Sequence, residues 1–328
     1  MTKPARDPRI IALRNFAASI SVFNVFGYLL LGFEQPPAWP FIAMATAYAL
    51  ELLLETIGAR GEQRAPRFLG NGLRGLVEFL YPAHITALAV NMLVYVNDRV
   101  SLMIFGVVVA ISGKWLLRAP VRGRMRHFMN PSNFGIVAIL LVAPWASVAP
   151  PYQFTEHVAN PVDWIIPIGI IVLGTMLNGM LTKRMWLIGA WVAVFALQAV
   201  VRGVLFDTSI PAALGTMTGV AFVLFTNYML PDPGTTPLRP LSQVAFGGGA
   251  AAFYGLVTGF HMVYGLFFAT VLVCLTRGAF LWALHIAARA RDERAAEEER
   301  RAAAVLSGAA EPAVPVPSPN EREAEVRA

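Results

Sequence analysis

Residues 163–206 read DWIIPIGIIVLGTMLNGMLTKRMWLIGAWVAVFALQAVVRGVLF, two apolar runs joined at the adjacent cations Lys183 and Arg184. About 20 predominantly apolar residues are needed for a helix to cross ~30 Å of hydrocarbon, and each run has that length. A helix also satisfies its own backbone N–H and C=O groups, which lipid demands. Closed β-barrels are the other solution, but their strands alternate apolar and polar residues, and these runs are continuous. The pair therefore reads as two transmembrane helices meeting at a charged turn.

The pattern extends in both directions. Apolar runs at 15–33, 38–58, 79–96, 100–117, 132–149, 163–181, 185–206, 211–230, 242–260 and 262–286 predict an all-α polytopic membrane protein of about ten spans. The charges agree with that number. Lys3 to Arg14, Arg60 to Arg74, Lys114 to Arg126, Lys183 with Arg184, Arg239 and the C-terminal arginines all fall on one side, 24 of the 26 basic residues. Only Arg99 and Arg202 fall on the other, with Glu34, Asp98, Glu156, Asp163 and Asp207. Lys and Arg are retained on the cytoplasmic side during insertion. The expected protein is thus a multi-pass plasma-membrane protein with both termini cytoplasmic.

Composition excludes other classes. Only 14% of residues are charged, well below the roughly 25% of soluble domains. The formal charge of +6 does not indicate nucleic acid as a partner, because the cations sit at helix ends and in the tail. The lipid bilayer is the partner this pattern requires. One cysteine, Cys274, rules out a disulfide framework, a cysteine-ligated zinc site and a self-contained iron–sulfur cluster. The first apolar run is interrupted by Asn24 and shows no small-residue cleavage site, so no signal peptide is expected. Residues 1–286 form the expected transmembrane domain. Residues 287–328 form a cytoplasmic extension: a charged helical segment with Glu297 four residues before Arg301, then a disordered tail broken by Pro312, Pro315, Pro317 and Pro319.

Small residues four apart, Gly215 with Gly219 and Gly255 with Gly259, predict close helix packing, as does the run Gly247 to Ala251. Gly113-Lys114 is followed by Trp115, so no phosphate-binding loop is present and ATP-driven transport by this chain alone is disfavoured.

Two polar, proline-bearing segments break the pattern on the basic side: Arg126 to Gly135, containing Asn130-Pro131-Ser132-Asn133, and Asn227 to Pro237, containing Asp232-Pro233-Gly234-Thr235-Thr236. Asn130 before Pro131 reads as an N-cap with proline in the first turn, and Asp232 to Thr235 has the composition of a tight turn. Caps at a membrane surface account for each segment alone. Their likeness to each other points to a shared site, because transporters build sites at broken helices with polar ends. The candidate ligand-binding residues are His127, Asn130, Ser132, Asn133, Asp232, Thr235 and Thr236. His127 lies in a basic cluster with Arg122, Arg124 and Arg126 suited to an anionic group.

These segments carry a resemblance. Asn130-Pro131 and Asp232-Pro233-Gly234-Thr235-Thr236 look like the Asn-Pro-Ala and Thr-Asp-Pro-Val-Thr segments of RnfD and NqrB, membrane subunits of ion-pumping redox complexes. Leu31 to Gln35, Pro82 to Thr86, Arg124 to Gly135, Pro150 to Glu156 and Met217 to Phe222 resemble the UnbU-type proteins of actinobacterial enediyne clusters within that broader family. The resemblance implies two five-helix halves of inverted topology. It also implies a role in enediyne biosynthesis with electron or ion transfer, and other membrane or redox subunits, or a second copy of the chain, as partners. The family's covalent-FMN motif is absent, and Gly215-Thr216-Met217-Thr218 is the nearest string. Covalent FMN is not expected, and a non-covalent flavin is the cofactor left open. Export of a product or intermediate and scaffolding of a biosynthetic complex are the alternative functions.

Ionisable groups at membrane depth are functional candidates by default. Glu51 and Glu55, four apart, share a face of span two, as a joint cation or proton site or as groups facing water at its cytoplasmic end. His84 is a candidate proton relay or a hydrogen-bonded structural histidine. No metal site and no catalytic constellation emerge.

Overall fold

The computed structural model describes residues 8–150 and 164–306. Lys3, Arg6, the loop with Glu156 and Asp163, and the proline-rich tail lie outside the described residues. The chain divides into two units, Met1–Ala279 and Phe280–Ala328.

The first unit is a bundle of apolar helices. Helix α1 (Pro8–Phe26) runs into a π turn at Gly27–Leu31 and is followed by α2 (Trp39–Gly61), α3 (Gly72–Leu93), α4 (Val100–Leu116) and α5 (Pro131–Val142). Then come α6 (Ile165–Met176) with a π turn at Leu177–Thr182, α7 (Met185–Phe206), α8 (Ile210–Gly215), α9 (Val220–Leu224) with a π turn at Phe225–Met229, α10 (Pro240–Gly259) and α11 (Gly265–Leu306). Six of the described helices are long and apolar enough to cross a membrane, and seven if the bent pair containing α8 and α9 is one span. The protein is therefore a helical, multi-pass membrane protein.

The two helices of the opening stretch form at Ile165–Thr182 and Met185–Phe206, with Lys183 left-handed between them (φ 55°). Elsewhere the expected boundaries shift for identifiable reasons. Span five ends at Val142 rather than 149, because Pro144 withdraws a donor and biases Ala143 away from helix. Span eight is not one helix: extended backbone at Gly219 (ψ 143°) separates α8 from α9, and the pair is bent by 62°. Residues 118–127 form a hairpin of β2 (Arg118–Val121) on β3 (Arg124–His127). Its two-residue turn, Arg122-Gly123, has φ of 51° and 75°, the primed-turn conformation that suits hairpin twist. Gly123→Val places a β-branched residue there and should cost about 1–2 kcal/mol, read as a lower melting temperature. A second small sheet pairs β1 (Val94–Tyr95) with β4 (Ser147–Val148).

Close packing uses some of the expected glycines, Gly247 and Gly255 among them, and one that the spacing does not single out, Gly135. Gly215 and Gly259 face open space. A Cβ on Gly135 would instead overlap the Gly106 carbonyl oxygen, and one on Gly247 would overlap that of Leu187. These contacts bring α5 onto α4 and α10 onto α7 at backbone distance. In the second unit, the charged helical part of α11 continues to Leu306 with an exposed Arg301–Glu297 pair at 2.8 Å.

Candidate functional site

Asn130 caps α5: its Oδ1 accepts from Asn133 N at 3.2 Å and from Ser132 Oγ at 3.0 Å. Its Nδ2 donates to the Met229 carbonyl at 3.0 Å, across 99 residues of sequence. One buried amide thus caps the first proline segment and ties it to the second.

The second segment is a self-bonded turn. Asp232 Oδ1 accepts from Gly234 N at 3.1 Å and Oδ2 from Thr235 Oγ1 at 2.9 Å. Thr236 Oγ1 donates to the Asp232 carbonyl at 2.6 Å and accepts from Arg184 Nε at 2.8 Å. Arg184 is only 2% exposed. Burial pushes its pKa down and the charge of Asp232 opposes that shift; a guanidinium starts high enough to stay charged. His127, at the end of β3, lies beside this turn: a Cβ on Gly234 would come 2.9 Å from its Nε2.

Between the segments opens a cavity of about 830 Å³. Of the sequence-selected residues, His127, Asn130, Ser132, Asp232 and Glu51 line it. Thr235 and Thr236 do not; their hydroxyls hold the turn. Asn133 lies fully buried beneath the first turn of α5, with neither side-chain polar atom hydrogen-bonded. Apart from Thr86, the cavity floor is apolar: it is formed by Phe16, Ile20 and Phe23 of α1 and by Phe79, Pro82, Thr86, Ala89 and Leu93 of α3. The α3 positions recur at helical spacing. From Phe79 to Leu93 they cover about 21 Å at 1.5 Å per residue, two-thirds of a bilayer core.

The carboxylates of span two each take a cation of their own. Glu51 is ion-paired with Lys114 at 2.5 Å, and Glu55 with Arg64 at 2.5 Å while also accepting from Arg67 N at 2.9 Å. Both are buried, and burial demands such partners. At the cavity mouth, Arg64 holds the exposed Glu62 carboxyl below its usual range, and burial pushes the Arg118 guanidinium down. Arg118 also stacks over Trp115, 4.4 Å from the ring centroid.

His84 is a tie between helices. Ser21 Oγ of α1 lies 2.7 Å from its Nε2 and Tyr48 OH of α2 lies 2.6 Å from its Nδ1. It does not line the cavity. His84→Leu strips Tyr48 of this partner and should destabilise the protein by about 1–3 kcal/mol, measured by thermal unfolding in detergent.

Sequence reasoning missed the wall residues Lys114, Trp115 and Arg118, because it read the two cations only as marks of topology and Trp115 only as the residue that rules out a phosphate-binding loop. It also missed a ladder in the second half of the bundle: Asn178 Nδ2 donates to Asn227 O at 2.7 Å, and Asn227 Nδ2 to Val223 O at 2.9 Å. Polar residues inside apolar runs were the available signal. The nearest string to a flavinylation motif ends α8, where the hydroxyls of Thr216 and Thr218 bond to Ala213 O and Gly215 O. Among the described residues no three His, Cys, Asp or Glu side chains group to hold a metal. Compared with models of protein families and with curated proteins, the sequence matches none, so the cavity itself carries the functional reading.

Proposed function

We propose that this chain is a plasma-membrane carrier that admits a small molecule from the cytoplasm. We further propose that it has ten spans, cytoplasmic termini and two inverted five-helix halves. The carrying observation is the cavity of about 830 Å³ that begins among basic loops and runs deep between α1 and α3. That volume lies within the ~300–1,000 Å³ of small-molecule sites. A pathway wetted from one side fits alternating access.

The repeat reading is supported by matched helix endings. α1 closes through a π turn on left-handed Gly32, with Phe33 N bonded to Gly27 O at 2.9 Å. α6 closes through a π turn on left-handed Lys183, with Arg184 N bonded to Asn178 O at 2.9 Å. Packing is also matched: α2 contacts α4 as α7 contacts α10, and α1 contacts α3 as α6 contacts α9.

Export of a small molecule is the function this arrangement fits best, and the resemblance to UnbU-type proteins makes a product or intermediate of enediyne biosynthesis the proposed cargo. Cells carrying the gene should accumulate less of the exported compound than cells lacking it, and Ala89→Trp, which fills the floor, should abolish the difference. Equal accumulation with and without the gene contradicts export. Electron transfer through a non-covalent flavin is the second reading, favoured by the aromatic walls Trp115 and Tyr228. Isoalloxazine absorption in purified protein would support it over export.

A further inference from the structure

We propose that the cavity takes an anionic amphiphile, its acidic head at the basic mouth and its apolar body along α1 and α3. The proposal rests on the reading of the cavity as a ligand site and adds the class of ligand. Two observations carry it. Arg67, Lys114, Arg118, Arg124 and Arg126 line the mouth together with His127, five Lys or Arg side chains against the three carboxylates of Glu51, Glu62 and Asp232. Each of those carboxylates is already engaged: Glu51 by Lys114, Glu62 by Arg64, and Asp232 by Gly234 N and Thr235 Oγ1. The surplus charge at the mouth is positive. Insertion rules place cations on this side of the membrane, but do not require a hairpin to gather them at one cavity. Low-dielectric walls focus such a field on an approaching anion.

The second observation is the floor. Apart from Thr86, the wall that α1 and α3 present is apolar for about 21 Å. A compact, fully hydrated anion would gain nothing from that depth, and a neutral apolar molecule would gain nothing from the mouth. A molecule with both ends uses the whole cavity.

The test uses the purified full chain in a neutral maltoside and the fluorescent long-chain acid cis-parinaric acid. Its methyl ester and a long-chain alkylamine are the comparison probes. The acid should bind saturably and at least about tenfold more tightly than the ester, a difference of about 1.4 kcal/mol. Replacing the exposed Arg124 and Arg126 together with alanine should weaken acid binding about tenfold and leave the ester unchanged. Ala89→Trp should remove both. If Ala89→Trp fails to stay monodisperse, Ile85→Trp tests the same wall. Displacement by phosphatidylglycerol in nanodiscs supports a membrane lipid as the source of the anion, and retention of the probe supports a soluble acid. Equal binding of acid and ester, or tighter binding of the amine, overturns the anion assignment and leaves the ligand cavity standing. Absence of saturable binding by any of the three probes overturns both.

Discussion

Gly247→Val should leave little or no folded protein. The added Cβ would occupy the position of the Leu187 carbonyl oxygen on α7, and backbone cannot rotate aside as a side chain can. α10 and α7 would have to separate along their shared face, beside the fully buried Trp191. That aromatic contacts Phe195, Phe222, Phe225 and Tyr254, so the disturbance spreads through the second half of the bundle. The expected cost is at least about 3 kcal/mol, the upper end of ordinary overpacking. Size-exclusion chromatography of the detergent-solubilised variant should show aggregate in place of a single peak. Gly248→Ala is the control: its Cβ would meet only Val194 Cγ2, at 3.4 Å, and the protein should remain monodisperse.

Removing Lys114 should have an effect of similar size through electrostatics. Glu51 and Lys114 form a buried pair, 3% and 14% exposed, with Trp115 Nε1 also 3.5 Å from the carboxylate. Lys114→Met leaves a charged carboxylate in a low-dielectric wall without its counter-ion. Breaking such a pair costs about 3–5 kcal/mol. The double variant Glu51→Gln with Lys114→Met should regain most of that loss, because it removes the stranded charge. Thermal unfolding of the single and double variants checks both statements. Equal destabilisation by the two would show that Lys114 stabilises through packing. The exposed Glu297–Arg301 pair gives the contrast, since Arg301→Ala should change stability by less than about 1 kcal/mol.

Much of the fold was legible because lipid simplifies it. Long apolar runs had to become helices, and Met185–Phe206 coincides with its expected span. What escaped was decided by single residues acting on backbone. Pro144 ends α5 early, Gly219 breaks the eighth run, and Arg122-Gly123 turns a basic loop into a hairpin. Hydropathy averages over such residues and cannot register them. A dipeptide with glycine between short alternating segments was a readable hairpin signal.

The site divides in the same way. Asn130 and Asp232 were recognisable because an Asn-Pro cap and an Asp-Pro-Gly turn carry local chemistry. Their joining through the Met229 carbonyl is a tertiary fact. Thr235 and Thr236 looked like ligands because short hydroxyls suit many roles; only the geometry shows that they bond to Asp232 and, for Thr236, to Arg184 as well. Glu51 and Glu55 share a helix face as their spacing requires, but the partners that separate them are tertiary: Lys114 comes from the last turn of α4 and Arg64 from the loop after α2, and periodicity within span two describes neither.

The central claim is that a water-accessible cavity leads from the cytoplasmic side deep along α3. Ala89→Cys, in a chain whose Cys274 is replaced by serine, tests it with a charged, membrane-impermeant thiol reagent applied to oriented vesicles. The expected result is rapid labelling from the cytoplasmic face and none from the other. Labelling from the opposite face, or from neither, would contradict the account.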